Sequence, residues 1–158
     1  MGWGSFPSAR CLHDRQTTLV AEFVRVGATY YSDEYALLDR RGNVYPYPQP
    51  LGIRQPGGRE QVDTSIETLG GTAGQHALPV AWVVAASYQP SGEHGIGLLS
   101  SAETAAILLQ NCVGARRFPR QTLAAISEVA RNARGITQIR GEALEAVQML
   151  LEAIKEPV

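Results

Sequence analysis

Cysteine is nearly absent from this sequence. Cys11 and Cys112 lie far apart, in no CxxC or Cys/His spacing, so neither a zinc site nor a disulfide framework is indicated. Free thiols and a cytoplasmic location are the expectation. The chain also has no window of about eighteen apolar residues, and its N-terminus lacks the charged-then-apolar order of a signal peptide. We therefore expect no membrane span and no export address. A dominant charge is missing too: 14 basic residues face 15 acidic ones, a net charge of −1. Without a global field, nucleic acid and an anionic membrane are not expected partners.

What remains is an ordinary globular composition, 44% hydrophobic and 18% charged over 158 residues. That is enough chain for one core. The organising stretch is residues 17–39, TTLVAEFVRVGATYYSDEYALLD. A helix-period segment runs into Gly27, then into an aromatic β-run that stops on adjacent acids, Asp33 and Glu34, before a second apolar run. In open α/β sheets ligands collect at strand ends, so carboxylates placed there are candidates for holding a metal or taking a proton. An acidic hairpin turn is the plain alternative.

Around that stretch the chain reads in order. Residues 1–16 have no apolar period and are expected to be irregular, with a single domain over residues 17–158. Thr17 is placed to cap a helix whose inward face is Leu19, Phe23 and Val26, ending at Gly27. Residues 28–32 and 35–38 are strand-like, and DRRGN at 39–43 has the chemistry of a hairpin turn leading to Val44 and Tyr45. YPYPQP, residues 45–50, is an edge, an extended connector or a polyproline ligand, because each proline removes a ladder donor. Residues 52–75 read as a long glycine-rich loop. Its GGTAG run, residues 70–74, would offer N–H groups to a phosphate but lacks the GxxxxGK[ST] order. LPVAWVVAASY, residues 78–88, has the near-continuous apolar character of a central strand buried on both faces. His94 beside Glu93 is either an acid–base pair or a solvated turn.

The last third is helical. Ser100 and Glu103 form a capping box before Ala105, Leu108, Leu109 and Cys112. Pro119 suits the first turn of a helix that carries Leu123, Ile126 and Val129 inward. Residues 136–139 make a short strand, and Gly141 opens a final helix with Leu144, Val147, Leu150, Leu151 and Ile154 inward. Arg116, Arg117 and Arg120 cluster at a helix junction, either to meet an acidic partner or phosphate or as a solvated cationic corner.

Taken in order, TTLVAEFVRVGATYYSDEYALLD, RRGNVYPYPQPLGIR, the long apolar strand, LSSAETAAILLQN, ARRFP and IRGEALEAVQMLL resemble the HPr kinase-like proteins, relatives of the HPr serine kinase/phosphorylase. The resemblance implies an α/β P-loop fold of the kind shared with ATP-dependent phosphoenolpyruvate carboxykinases: a mixed sheet with C-terminal helices. It implies ATP-dependent phosphorylation of a serine hydroxyl on a protein or peptide, with ATP and Mg2+ as cofactors and a homo-oligomer as a possible assembly. By resemblance Asp33 is the general base, Glu34 and Thr17 are magnesium ligands, Thr18 belongs to the nucleotide-binding turn, and Arg54 occupies a basic position of the family. The chain departs from the pattern at the phosphate-binding loop. Aligning Thr17 and Thr18 with the loop's final hydroxyls puts Gln16 at the lysine and Arg15 at the last glycine, so the N-terminal strand and P-loop are expected to be missing, as truncation or a frameshift would leave them. Losing two or three charge-assisted hydrogen bonds of about 1.5–3 kcal/mol each would weaken nucleotide binding a hundredfold or more. A non-catalytic module that binds a peptide or protein is the alternative function.

Overall fold

Burial on both faces of one strand marks the middle of its sheet. In a computed structural model, which describes residues 8–10, 16–54 and 61–155, the elements in chain order are β1 (Ser8–Arg10), α1 (Gln16–Arg25), β2 (Thr29–Tyr30), β3 (Tyr35–Leu38), β4 (Asn43–Tyr45), β5 (Leu51–Arg54), β6 (Gln61–Thr64), a 3-10 turn (Glu67–Leu69), β7 (Thr72–Ala73), β8 (Leu78–Pro79), β9 (Trp82–Tyr88), β10 (Gly95–Leu99), α2 (Ser101–Gln110), α3 (Pro119–Asn132), β11 (Arg134–Arg140) and α4 (Ala143–Lys155). Among the described residues the architecture is mixed α/β, with four helices and several small sheets.

β11 is the middle strand of a three-stranded sheet in the order β10-β11-β9, parallel to β9 and antiparallel to β10. Successive side chains of a strand point to opposite faces. On one face, Gln138 donates from Nε2 to Ala146 O of α4 at 2.9 Å, and Ala86 of β9 packs with Leu19 of α1 and Ala143, Ala146 and Val147 of α4. On the other, Val83 of β9 packs with Ala125 and Val129 of α3 and with Leu108 of α2. Helices therefore cover both faces. Gly135 permits the closest approach: a Cβ there would overlap Thr104 Oγ1 of α2 and reach to 3.0 Å from Leu99 Cβ.

A four-stranded antiparallel sheet, β1-β3-β4-β8, lies beside this layer. Its β3–β4 hairpin is closed by the expected turn. Asp39 accepts from Arg41 N, Asn43 N and Asn43 Nδ2 at 2.8–2.9 Å. A separate core joins Ala21 and Val24 of α1 to Tyr30, Leu51 and Ile66, and each fully buried leucine there contributes about 1.5–3 kcal/mol of transfer free energy.

Several expectations need correction. Residues 8–10 form a strand, because β3 offers an edge to pair with. Residues 52–75 are not one loop: they hold β6, the 3-10 turn, β7 and most of β5, since QVDT alternates well enough to pair with LGIR. Within GGTAG, Gly70 caps the 3-10 turn in the left-handed region; Gly71 lies against Val24 and Ile66, and Gly74 against Tyr31. Gly71 and Gly74 thus serve close packing, and Gly70 the left-handed cap. Residues 78–88 break at Val80 and Ala81 into β8 and β9, which belong to different sheets, and β9 sits at the end of its sheet among the described residues rather than at the centre. β11 is the most buried strand among those whose burial is described, and its polar Arg, Thr and Gln hide its length from a hydrophobicity reading.

Helix faces are shifted as well. α1 starts at Gln16, so Thr17 lies inside its first turn rather than capping it, and its buried residues are Leu19, Ala21 and Val24. Val26, Leu109, Leu123 and Leu144, each expected inward, are exposed. The capping box at Ser100 and Glu103, Pro119 in the first turn of α3, and the inward Ile126, Val129, Val147 and Leu150 are as expected.

Candidate active site

The acids of the organising stretch sit between β2 and β3, and α1 reaches back to them. Thr17 Oγ1 donates to Asp33 Oδ2 at 2.7 Å, across sixteen residues of chain. This joins the first turn of a helix to the end of a strand. Burial pushes the Asp33 carboxyl up from its ordinary value of 3.8; the Thr17 hydrogen bond opposes that shift, and the charge of neighbouring Glu34 adds to it. The net direction is upward. Glu34 itself is exposed.

Tyrosines frame the acids. Burial, and then the charge of Asp33, push the Tyr30 phenol up to about 12, so it stays neutral and donates to Gln49 O at 2.9 Å. Tyr31 donates to His76 O at 2.7 Å, while its backbone carbonyl accepts from Tyr47 N at 2.8 Å. The proline-rich segment is thereby tied down as an extended connector beside the acids.

Thr17 also faces a cleft of about 330 Å³, at the lower end of the usual size for small-molecule sites. One face of α1 lines it with Thr17, Thr18, Ala21 and Arg25; Gly52, Ile53 and Gln61 close it from the β5–β6 hairpin. The floor comes from Tyr88, Arg140, Glu142 and Ala143. Tyr88 and Arg140 are register partners at the carboxyl ends of the parallel strands β9 and β11, which is where α/β sheets place their ligands. Arg140 is only 4% exposed. Its guanidinium lies 5.5 Å from the Tyr88 ring centroid and donates to Gly141 O at 3.1 Å. Tyr88 Oη donates to Glu142 Oε1 at 3.3 Å, and Arg25 pairs with Glu22. The first turns of α1 and α4 both reach this cleft, adding the partial positive charge of two helix N-termini to that of the arginines.

The structure thus brings Thr17 to Asp33, with Glu34 next to it in the chain, and places Thr17 and Thr18 on the cleft, whose lining includes neither acid. The Arg54 side chain and residues 11–15, where the loss of the phosphate-binding loop is expected, lie outside the described residues. Sequence reasoning missed Tyr88, Arg140 and Glu142. The available signal was a strand ending in Arg140, followed by Gly141 and a helix start. His94, the other acid–base candidate, sits against Gly141, and its Nε2 lies 3.0 Å from Gln89 O; it braces the loop after β9. Among the described residues no group of three or more His, Cys, Asp or Glu could hold a metal ion, and no helix is long and apolar enough to cross a membrane.

No family model, curated protein or solved structure matches this chain.

Proposed function

We propose that this chain is a phosphoryl-transfer domain of the HPr kinase-like kind, using ATP and Mg2+ to phosphorylate a serine hydroxyl on a protein or peptide. The reading is carried by the Thr17–Asp33 hydrogen bond of 2.7 Å, which couples the helix turn and the strand-end acid that the resemblance assigns to one site.

Magnesium ordinarily takes one or two carboxylates together with substrate phosphates; Glu34, whose charge is felt at Asp33, and the Thr17 hydroxyl are the groups that would hold it. The cleft beside Thr17 supplies Arg25 and Arg140 and two helix N-termini, a donor set suited to phosphate. When bound, ATP would supply the phosphoryl group. Asp33 accepts the proton of the acceptor hydroxyl; burial raises its carboxyl above the ordinary value, so it holds that proton better than a solvated aspartate. Thr17 holds Asp33 in orientation, and Tyr30 stays neutral beside it.

Transfer of label from ATP to serine-bearing peptides tests this. Asp33→Asn is expected to reduce the rate by about 10²–10⁴-fold while leaving Mg-ATP binding intact. Equal rates in the two proteins would overturn the reading. A second reading is favoured by Gln16, which stands where the resemblance places the phosphate-binding lysine and carries no charge: a module that binds a peptide or protein without nucleotide turnover.

A further inference from the structure

The three arginines of the α2–α3 junction lie away from the cleft. The cleft is built on the sheet face of α1 and α4, whereas α2 and α3 pack on the opposite face. Between Glu103 and Glu128 the chain holds no acidic residue, yet it holds Arg116, Arg117 and Arg120. All three are exposed, and among the described residues none has a carboxylate partner. The connector is wound rather than slack. Cys112 N donates to Leu109 O, Ala115 N to Cys112 O, Arg117 N and Phe118 N to Gly114 O, and Thr122 N to Phe118 O. These successive turns hold the backbone at Arg116, Arg117 and Arg120 within about two helical turns. Arg117 is further fixed over the Phe118 ring, 5.4 Å from its centroid.

Apolar side chains flank this charge. Leu109 is 42% exposed, Val113 58% and Leu123 52%, although the helical period assigns two of them to the core. Three cations and three aliphatic side chains are thus presented together along the fifteen residues from Leu109 to Leu123.

We propose that the α2–α3 junction docks an acidic, partly apolar segment of a partner protein, with Arg116, Arg117 and Arg120 taking its carboxylates and Leu109, Val113 and Leu123 its aliphatic side chains. Charge complementarity selects this occupant. Three exposed guanidinium groups with no carboxylate partner among the described residues favour an anionic segment, and the aliphatic side chains beside them favour one that also carries apolar residues. An anionic membrane is the weaker fit: polybasic lipid-binding segments use about four to eight cations at about 1 kcal/mol each, and this chain carries three here on a net-negative background.

Fluorescence anisotropy with a labelled synthetic peptide of alternating glutamate and leucine pairs tests the surface, using the full chain. Binding is expected to weaken about tenfold or more in the triple variant R116E/R117E/R120E and to fall steeply between about 0.05 M and 0.3 M salt. Leu109→Ser with Val113→Ser is expected to weaken binding severalfold without altering the salt dependence. Thermal melts verify that the variants fold, and R116Q/R117Q/R120Q replaces the reversal variant if that one does not. Equal affinity for an all-glutamate peptide, or binding unaffected by the arginine substitutions, would overturn the proposal. So would arginine-dependent binding to phosphatidylserine vesicles with none to the peptide.

Discussion

Asp33 is stabilised in its protonated form by its burial, and the consequence is a specific pH dependence. A carboxyl whose pKa is higher folded than unfolded binds more protons in the native state, so its contribution to stability is complete below the ordinary value of 3.8 and is lost as pH rises through the folded value. Ionised Asp33 is therefore a local cost at neutral pH. Asp33→Asn, which keeps an acceptor oxygen for Thr17, is expected to raise the melting temperature at pH 7 and to lose that advantage in acid; a melting temperature lowered at both pH values would contradict this. Asp39 behaves oppositely. Burial alone would push its carboxyl up, but hydrogen bonds from Asn43 and Arg41 outweigh that and hold it below its ordinary value. Its contribution is present above the unfolded value and disappears as pH falls through the folded one. Asp39→Ala removes three accepted hydrogen bonds from the β3–β4 turn and is expected to cost about 1–3 kcal/mol in urea unfolding at pH 7, with a smaller difference in acid.

At the scale of elements, the tightest constraint is the contact of α2 with β11. Gly135 has Thr104 Oγ1 where a Cβ would go, and α2 is held at its start by the reciprocal Ser100–Glu103 box, so it has little freedom to retreat. Gly135→Ala is expected to destabilise the fold by about 1–3 kcal/mol, while Gly95→Ala on the neighbouring strand, where a Cβ meets nothing within 4 Å, is expected to be nearly neutral. Comparable denaturation midpoints for the two variants would show that α2 does not approach β11 this closely. Local chemistry made such elements legible: the capping box, Pro119 and the DRRGN turn each declare themselves within four or five residues. Burial was less legible. Leu109 and Leu123 satisfy a helical period, yet they lie on helix margins that no other described element covers, and a period cannot reveal what a neighbour leaves open. The 78–88 run reads as one strand because continuous hydrophobicity carries no mark of the break at Val80 and Ala81, where the chain leaves one sheet for another.

For the molecule as a whole, the two halves of the candidate site differ in what the sequence could reveal. Thr17, Asp33 and Glu34 belong to a single stretch whose order suggested a site. Tyr88, Arg140 and Glu142 reach the cleft only because β9 and β11 run parallel in register, a long-range pairing that local patterns do not encode. Those halves meet at Thr17, which donates to Asp33 and lines the cleft. The central claim is that this junction binds a nucleotide. Its most direct test is a thermal melt with and without Mg-ATP, run on the unaltered chain and on Arg140→Met with Thr18→Val. Ligand at a hundred times its dissociation constant stabilises a fold by about 2.7 kcal/mol, which for a domain of this size is a rise of roughly 5–10 °C. We expect that rise in the unaltered chain and a much smaller one in the variant. A cooperative melt of the unaltered chain that Mg-ATP leaves unmoved would contradict the claim and leave Asp33 and Glu34 as an acidic turn beside an unrelated cleft.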